Sequence, residues 1–168
     1  MQSFEKRGKR LFKVVLFQPQ IPPNTGNIGR ICVNSGAELH LVKPLGFSLE
    51  EKHLKRAGLD YWKKLSPTIW ENQEEFLRSV PIEKCHFATT KGVKFHFDAT
   101  FKPGDYLIFG KETAGIDEKI LEKYRERTIK IPMVPEGRSL NLAVSVGIVL
   151  YEAIGQNFQE WRKKYGYQ

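Results

Sequence analysis

Side chains able to do chemistry gather in three short stretches of this 168-residue chain. The first is Ile21-Pro22-Pro23-Asn24-Thr25-Gly26-Asn27-Ile28-Gly29-Arg30. Asn27, Arg30 and Asn34 recur there at i, i+3 and i+7, a polar helix face set away from the apolar stripe of Ile28, Ile31 and Cys32. Read alone, Asn24 also suits a helix cap and Arg30 a solvated surface charge. In the second, Phe109-Gly110-Lys111-Glu112-Thr113-Ala114-Gly115, two glycines bracket a glutamate, which suits a tight turn around a ligand or an ordinary turn. The third runs from Ile131-Pro132-Met133-Val134-Pro135 to Ser139-Leu140-Asn141: two prolines stiffen a loop, and a polar Ser-x-Asn opens the most apolar helix of the chain. Each stretch follows a strand, the place where open α/β sheets bind ligands.

The chemistry is narrowed by what is missing. No G-x-x-x-x-G-K-[ST] phosphate cradle, no G-x-G-x-x-G after the first strand and no G-x-S-x-G elbow occurs. His40, His53, His86 and His96 are scattered and lack metal-ligand spacing, so no metal is expected. Cys32 and Cys85 form no Cys-x-x-Cys pair and read as reduced thiols of a cytoplasmic protein. A pyrimidine C5 chemistry would need a nucleophilic cysteine. Cys32 falls on the buried stripe and Cys85 at a strand start, so neither suits that role.

Strand and helix signals alternate around these stretches. Strands are expected at Lys13–Phe17, Leu39–Val42, Cys85–Thr89, Tyr106–Phe109 and Thr128–Ile131. Helices are expected from Asn24 to a stop at Gly36, over Glu50–Ala57 before Gly58, over Asn72–Val80 before Pro81, over Asp117–Tyr124, and from Asn141 to Ile154. Strands joined through helices imply a parallel sheet covered on both faces, an α/β/α sandwich. The last of these helices carries Leu142, Val144, Val146, Ile148, Val149, Leu150 and Ile154 around most of its circumference, which suggests packing against a second subunit as well as the core.

Length and composition agree with one globular domain: 40% of residues are hydrophobic and 27% charged. Twenty-seven Lys and Arg against 19 Asp and Glu give a net charge of +8, which points to a polyanionic partner. The cations cluster at Lys6, Arg7, Lys9, Arg10 and Lys13, at Lys52, Lys55, Arg56, Lys63 and Lys64, and at Arg162, Lys163 and Lys164. No apolar run approaches the roughly 20 residues of a membrane span, and no signal peptide is read at the basic N-terminus.

The order and content of the motifs carry more than any one of them. Ile21–Arg30, Arg56-Ala57-Gly58-Leu59-Asp60-Tyr61-Trp62, Phe109-Gly110-x-Glu112-Thr113 and Ile131-Pro132-Met133-Val134-Pro135 through Asn141 together resemble the SPOUT methyltransferases, and within them the YibK-like (TrmL) tRNA wobble-nucleotide 2′-O-methyltransferases. The likeness runs from Val14 to Ala153. It implies a single domain over residues 13–168, with a deep C-terminal trefoil knot, behind a basic extension at residues 1–12. It implies S-adenosyl-L-methionine as cofactor and S-adenosyl-L-homocysteine as product, with the cofactor against Ala88, Thr89, Gly110, Glu112, Ile131, Ser139 and Leu140. It implies a homodimer acting on the tRNA anticodon stem-loop, with Asn24, Arg30, Ser139 and Asn141 at the reacting ribose. A guanidinium is a poor proton acceptor, so Arg30 is expected to orient and stabilise rather than act as base. The same scaffold could serve another tRNA or rRNA ribose, or bind RNA without catalysis. Ala114 stands where arginine is common in such chains, and Ala143-Val144 where Ser-Asn is common.

Overall fold

The structure, a computed structural model, describes residues 10–50 and 62–167. Seven strands form one sheet in which every pairing is parallel: β1 Lys13–Phe17, β2 Glu38–Val42, β3 Thr68–Trp70, β4 Cys85–Ala88, β5 Lys94–Phe95, β6 Tyr106–Phe109 and β7 Thr128–Lys130. The spatial order is β3-β2-β1-β6-β4-β7-β5. Alternation along each central strand splits the core into two layers. Val14 and Leu16 of β1 and Leu107 and Phe109 of β6 face one way, beneath α1 (Pro22–Ser35) and α5 (Leu142–Gln156). Val15, Phe17, Phe87 and Ile108 face the other way, against Phe76 of α3 (Gln73–Ser79) and Leu121 of α4 (Glu118–Lys123). The expected α/β sandwich is present.

Several boundaries moved, each for a local reason. α1 starts at Pro22 rather than Asn24, because proline lacks the N–H a helix start would leave unpaired and its φ is already helical. Asn24 is therefore inside the first turn and is not the cap, which frees its side chain for other partners. Asn72 and Asp117 cap α3 and α4 through their side-chain oxygens, so both helices open one residue later than expected. The short edge strands β3 and β5 had no period-2 signal long enough to read. Two more helices, α2 (Trp62–Leu65) and α6 (Phe158–Lys164), were also not expected. α6 is tied down by Trp161 and Tyr165, which donate to the carbonyls of Ser35 (2.8 Å) and Gly36 (2.9 Å) at the end of α1. The expected helix at Glu50–Ala57 from residue 51 onward, and the clusters at Lys6–Lys9 and Lys52–Arg56, lie outside the described residues.

One crossing governs the carboxyl end of the sheet. Ala88 of β4 and Lys94 of β5 both register with Ile129, so β7 lies between two strands that are consecutive in the chain. The segment 89–93 that joins them crosses the β7 backbone, with the Thr89 N–H donating to the Ile129 carbonyl at 2.9 Å. A Cβ at Gly92 would collide with that Ile129 carbonyl group, so the crossing requires glycine.

α5 buries Ala143, Val146, Val149, Leu150, Ala153 and Ile154. On its outer side Val144 is 49% and Tyr151 51% exposed.

Candidate active site

Four loops leave the carboxyl ends of the central strands and wall a cavity of about 480 Å³. It stands beside the point where strand order reverses, between β1 and β6, as ligand sites of open α/β sheets do. Ala88 and Thr89 line it from the loop after β4, and Gly110 and Glu112 from the loop after β6. Ile131, Ser139, Leu140 and Asn141 line it from the segment between β7 and α5, and Asn24 from α1. Arg30 does not belong to the lining. It sits on the exposed side of α1 with Asn27 and Asn34, on the polar face read from the sequence.

The wall is organised by one carboxylate. Glu112 accepts the backbone N–H groups of Gln20 and Ile21, each at 2.8 Å, and the Asn24 side-chain Nδ2 at 3.2 Å. The Asn24 Oδ1 in turn accepts Asn141 Nδ2 at 2.9 Å. Asn141 closes the chain by capping α5, its Oδ1 accepting the N–H groups of Ala143 (2.8 Å) and Val144 (3.2 Å). Thr113 adds a clasp, its hydroxyl donating to Gln20 Oε1 at 2.8 Å. Three loops that are distant in sequence are thus joined through Glu112, Asn24 and Asn141. The orientation of both amides follows from the partners: Asn24 must present its NH₂ to the carboxylate and its oxygen to Asn141. The turn carrying Glu112 is tight because Lys111 and Gly115 form a bridge, and a Cβ at Gly110 would collide with the backbone at Gly115 and Ile116.

Sequence reasoning missed Lys91, Glu118, Met133 and Ser145, which also line the cavity. Lys91 and Glu118 form an ion pair across its rim. Lys91 follows β4 as Glu112 follows β6, so the loop-after-strand rule applied to that strand too. Ser145 lies one helical turn beyond Asn141 and so shares its side.

The reading of a cysteine nucleophile loses its chemistry here. Burial pushes the Cys32 thiol far up, against a small opposing effect of Arg10, and raises Cys85 to about 12 despite the nearby Arg127. Neither thiol lines the cavity, and neither is a nucleophile at neutral pH. Among the described residues, no group of three or more His, Cys, Asp and Glu is placed to hold a metal ion, and no helix is long and apolar enough to cross a membrane.

A parallel sheet with a ligand-sized cavity at its switch point, walled in part by amides fixed in a hydrogen-bond chain, is the architecture of an α/β protein with a candidate ligand site. The SpoU rRNA Methylase family matches residues 11–151, and the chain belongs to that family. It is 48% identical over 148 residues to the tRNA (cytidine(34)-2'-O)-methyltransferase of Methylovorus glucosotrophus (strain SIP3-4), covering 88% of this chain and 96% of that one. It is 44% identical over 144 residues to the enzyme of the same name from Escherichia coli (strain K12), covering 85% and 92%. A solved structure concerned with the 2-OH methylation of C/U34 on tRNA superposes with a TM-score of 0.81 at 41% identity, over 90% of this chain and 99% of that one. The SpoU methyltransferase AviRb from Streptomyces viridochromogenes, in complex with the cofactor AdoMet, shares the fold at 23% identity, with a TM-score of 0.76 over 95% of this chain and 67% of that one. The resemblance carried by the four sequence motifs is thereby confirmed at the level of the family.

Proposed function

We propose that the protein is an S-adenosyl-L-methionine-dependent tRNA (cytidine/uridine(34)-2′-O)-methyltransferase, acting on the wobble ribose of the anticodon stem-loop in the cytoplasm. The observation that carries the reading is the Glu112–Asn24–Asn141 network on the wall of the cavity, in a chain 44–48% identical to relatives named tRNA (cytidine(34)-2'-O)-methyltransferase. The cavity fits the cofactor: about 480 Å³ accommodates a nucleoside-sized ligand, with Phe109, Ile129, Ile131 and Leu140 as apolar wall and the amides as polar wall. When bound, the cofactor supplies an electrophilic methyl on a sulfonium sulfur. Ala88, Thr89, Gly110, Ile131 and Leu140 would hold it, with Ser139 at the boundary between cofactor and ribose.

The residues of the chain then have separable tasks. Asn24 and Asn141, fixed by Glu112 and by the α5 N-terminus, orient the ribose so that its 2′-oxygen faces the methyl in line. Glu112 itself is a positioning residue, since its oxygens are engaged by the β1–α1 loop and by Asn24. Arg30 stabilises negative charge developing on the 2′-oxygen, and the proton leaves to a substrate phosphate oxygen or to solvent. Because Arg30 is off the lining of its own cavity, its contact with the ribose belongs to a homodimer packed through the outer sides of α1 and α5. The exposed Val144 and Tyr151 support that surface. The position of β7 between β4 and β5, under the crossing at Gly92, supports a trefoil knot closed by the segment before α5 within a single domain at residues 13–168. The basic extension at residues 1–12 would add RNA contacts.

The test is to incubate purified protein with unmodified tRNA and labelled cofactor, then to map the methylated ribose. Methyl at nucleotide 34 is the expected result. Methyl at another ribose would move the enzyme to a sister activity, and binding without transfer would make it an RNA-binding protein on this scaffold.

A further inference from the structure

Three large apolar side chains stand exposed within five residues at the β5 edge: Val93 (41%), Phe95 (43%) and Phe97 (61%). They alternate with Lys94, which is half-buried, and His96, which is buried, so all three face solvent along β5 and the turn that follows it. β5 is an outermost strand, hydrogen-bonded to β7 on one side. Exposed aromatic residues at an open edge invite unwanted association, and proteins usually place charges or proline there. Strand addition does not explain them, because β5 is two residues long and turns at once into a helical turn at His96–Asp98. Cations are placed among the rings: the Lys130 ammonium lies 4.9 Å from the Phe95 ring centroid, and Lys94 belongs to the strand. Asp98 is the acid within this segment. The patch also reaches the active site, since Lys91 and Lys130 line the cavity.

We propose that this patch is a stacking platform for single-stranded RNA, on which a base flanking the methylated nucleotide packs against Phe97, with Phe95 and Lys130 supporting the next contact. Aromatic rings beside lysines suit a polyanion with exposed bases better than they suit an apolar protein surface. Continuity with the cavity rim would let one strand place a ribose inside and its neighbour outside. The proposal rests on the RNA-methyltransferase reading and adds to it a specific means of gripping the substrate loop.

The experiment uses the full chain and an anticodon stem-loop RNA carrying 2-aminopurine at single loop positions, whose fluorescence is quenched on stacking. Wild type, Phe97→Ala, Phe97→Trp and the Phe95→Ala/Phe97→Ala double variant are compared by RNA titration, by cofactor calorimetry and by sedimentation. Loss of the stack should weaken RNA binding about tenfold and abolish quenching at one loop position, while Phe97→Trp keeps both. Cofactor affinity should stay at the wild-type value in every variant, since neither ring lines the cavity. Undiminished RNA affinity and quenching in the double variant would overturn the platform, even in a protein that methylates nucleotide 34. A double variant that turns from dimer to monomer would assign the patch to a second copy and overturn it equally. Quenching that depends on Phe97, without any methyl transfer by wild type, would instead overturn the enzymatic reading and leave the platform standing.

Discussion

Replacing Glu112 by glutamine keeps its shape and removes one acceptor oxygen together with the charge. The carboxylate serves three donors: Gln20 N–H on one oxygen, and Ile21 N–H and Asn24 Nδ2 on the other. A glutamine loses least by turning its NH₂ toward Gln20, which sets one donor against another and weakens the two remaining bonds from charge-assisted to neutral. Charge-assisted bonds contribute about 1.5–3 kcal/mol each where buried. Glu112 is half-buried, and water can replace part of what is lost at Gln20, so a net destabilisation of about 1–2 kcal/mol is expected. For a domain of this size that lowers Tm by roughly 2–8 °C. The effect on rate should be larger than the effect on folding, because the Asn24 amide loses the partner that fixes its orientation; a loss of about tenfold to a hundredfold in single-turnover methylation is expected. A double-mutant cycle with Asn24→Ala separates positioning from direct action. If Glu112 acts through Asn24, Glu112→Gln should cost little further rate once Asn24 is alanine, while cofactor affinity stays close to wild type in both backgrounds. Multiplying rate losses in the cycle, or a wild-type rate in Glu112→Gln, would refute the network as the organiser of the site.

Arg30→Ala should remove roughly 3 kcal/mol of transition-state stabilisation, about a hundredfold in single-turnover rate, with cofactor affinity unchanged; Arg30→Lys should rescue little. Tyr151→Asp on the outer side of α5 should give monomers by sedimentation and abolish methylation together with the dimer. Native protein at pH 8 should resist iodoacetamide at both thiols and react fully once unfolded, because burial raises Cys32 and Cys85. Glu38 has its carboxyl pushed up by burial, but His40, Lys13 and Arg10 outweigh that and hold it below its ordinary 4.5. Its stabilising contribution is therefore present above that value and lost as pH falls through the lower folded value, so the Tm gap between Glu38→Gln and wild type should be open at pH 7 and close on acidification.

How far the sequence could be read depended on the range of the interactions involved. The central strands were legible because Val14–Phe17 and Leu107–Phe109 are apolar on both faces, a pattern produced by burial under helices on each side. The edge strands β3 and β5 were not, since their pairing with β2 and β7 comes from neighbours that no local window contains. The three chemical stretches were found from composition and from their place after strands, and all three reach one cavity. Their connection was hidden: nothing near Asn24 in sequence shows that its partners are Glu112 and Asn141, 88 and 117 residues away. Read locally, Asn24 was a candidate cap, and that role fell to proline chemistry at Pro22. Arg30 marks the opposite case. Its polar helix face was correctly placed, yet Arg30 lies off the cavity wall, because that face of α1 is the exposed one and the cavity is lined from α1 by Asn24 instead. The local pattern therefore identified which residues are unusual, and the chain topology determined which of them act together.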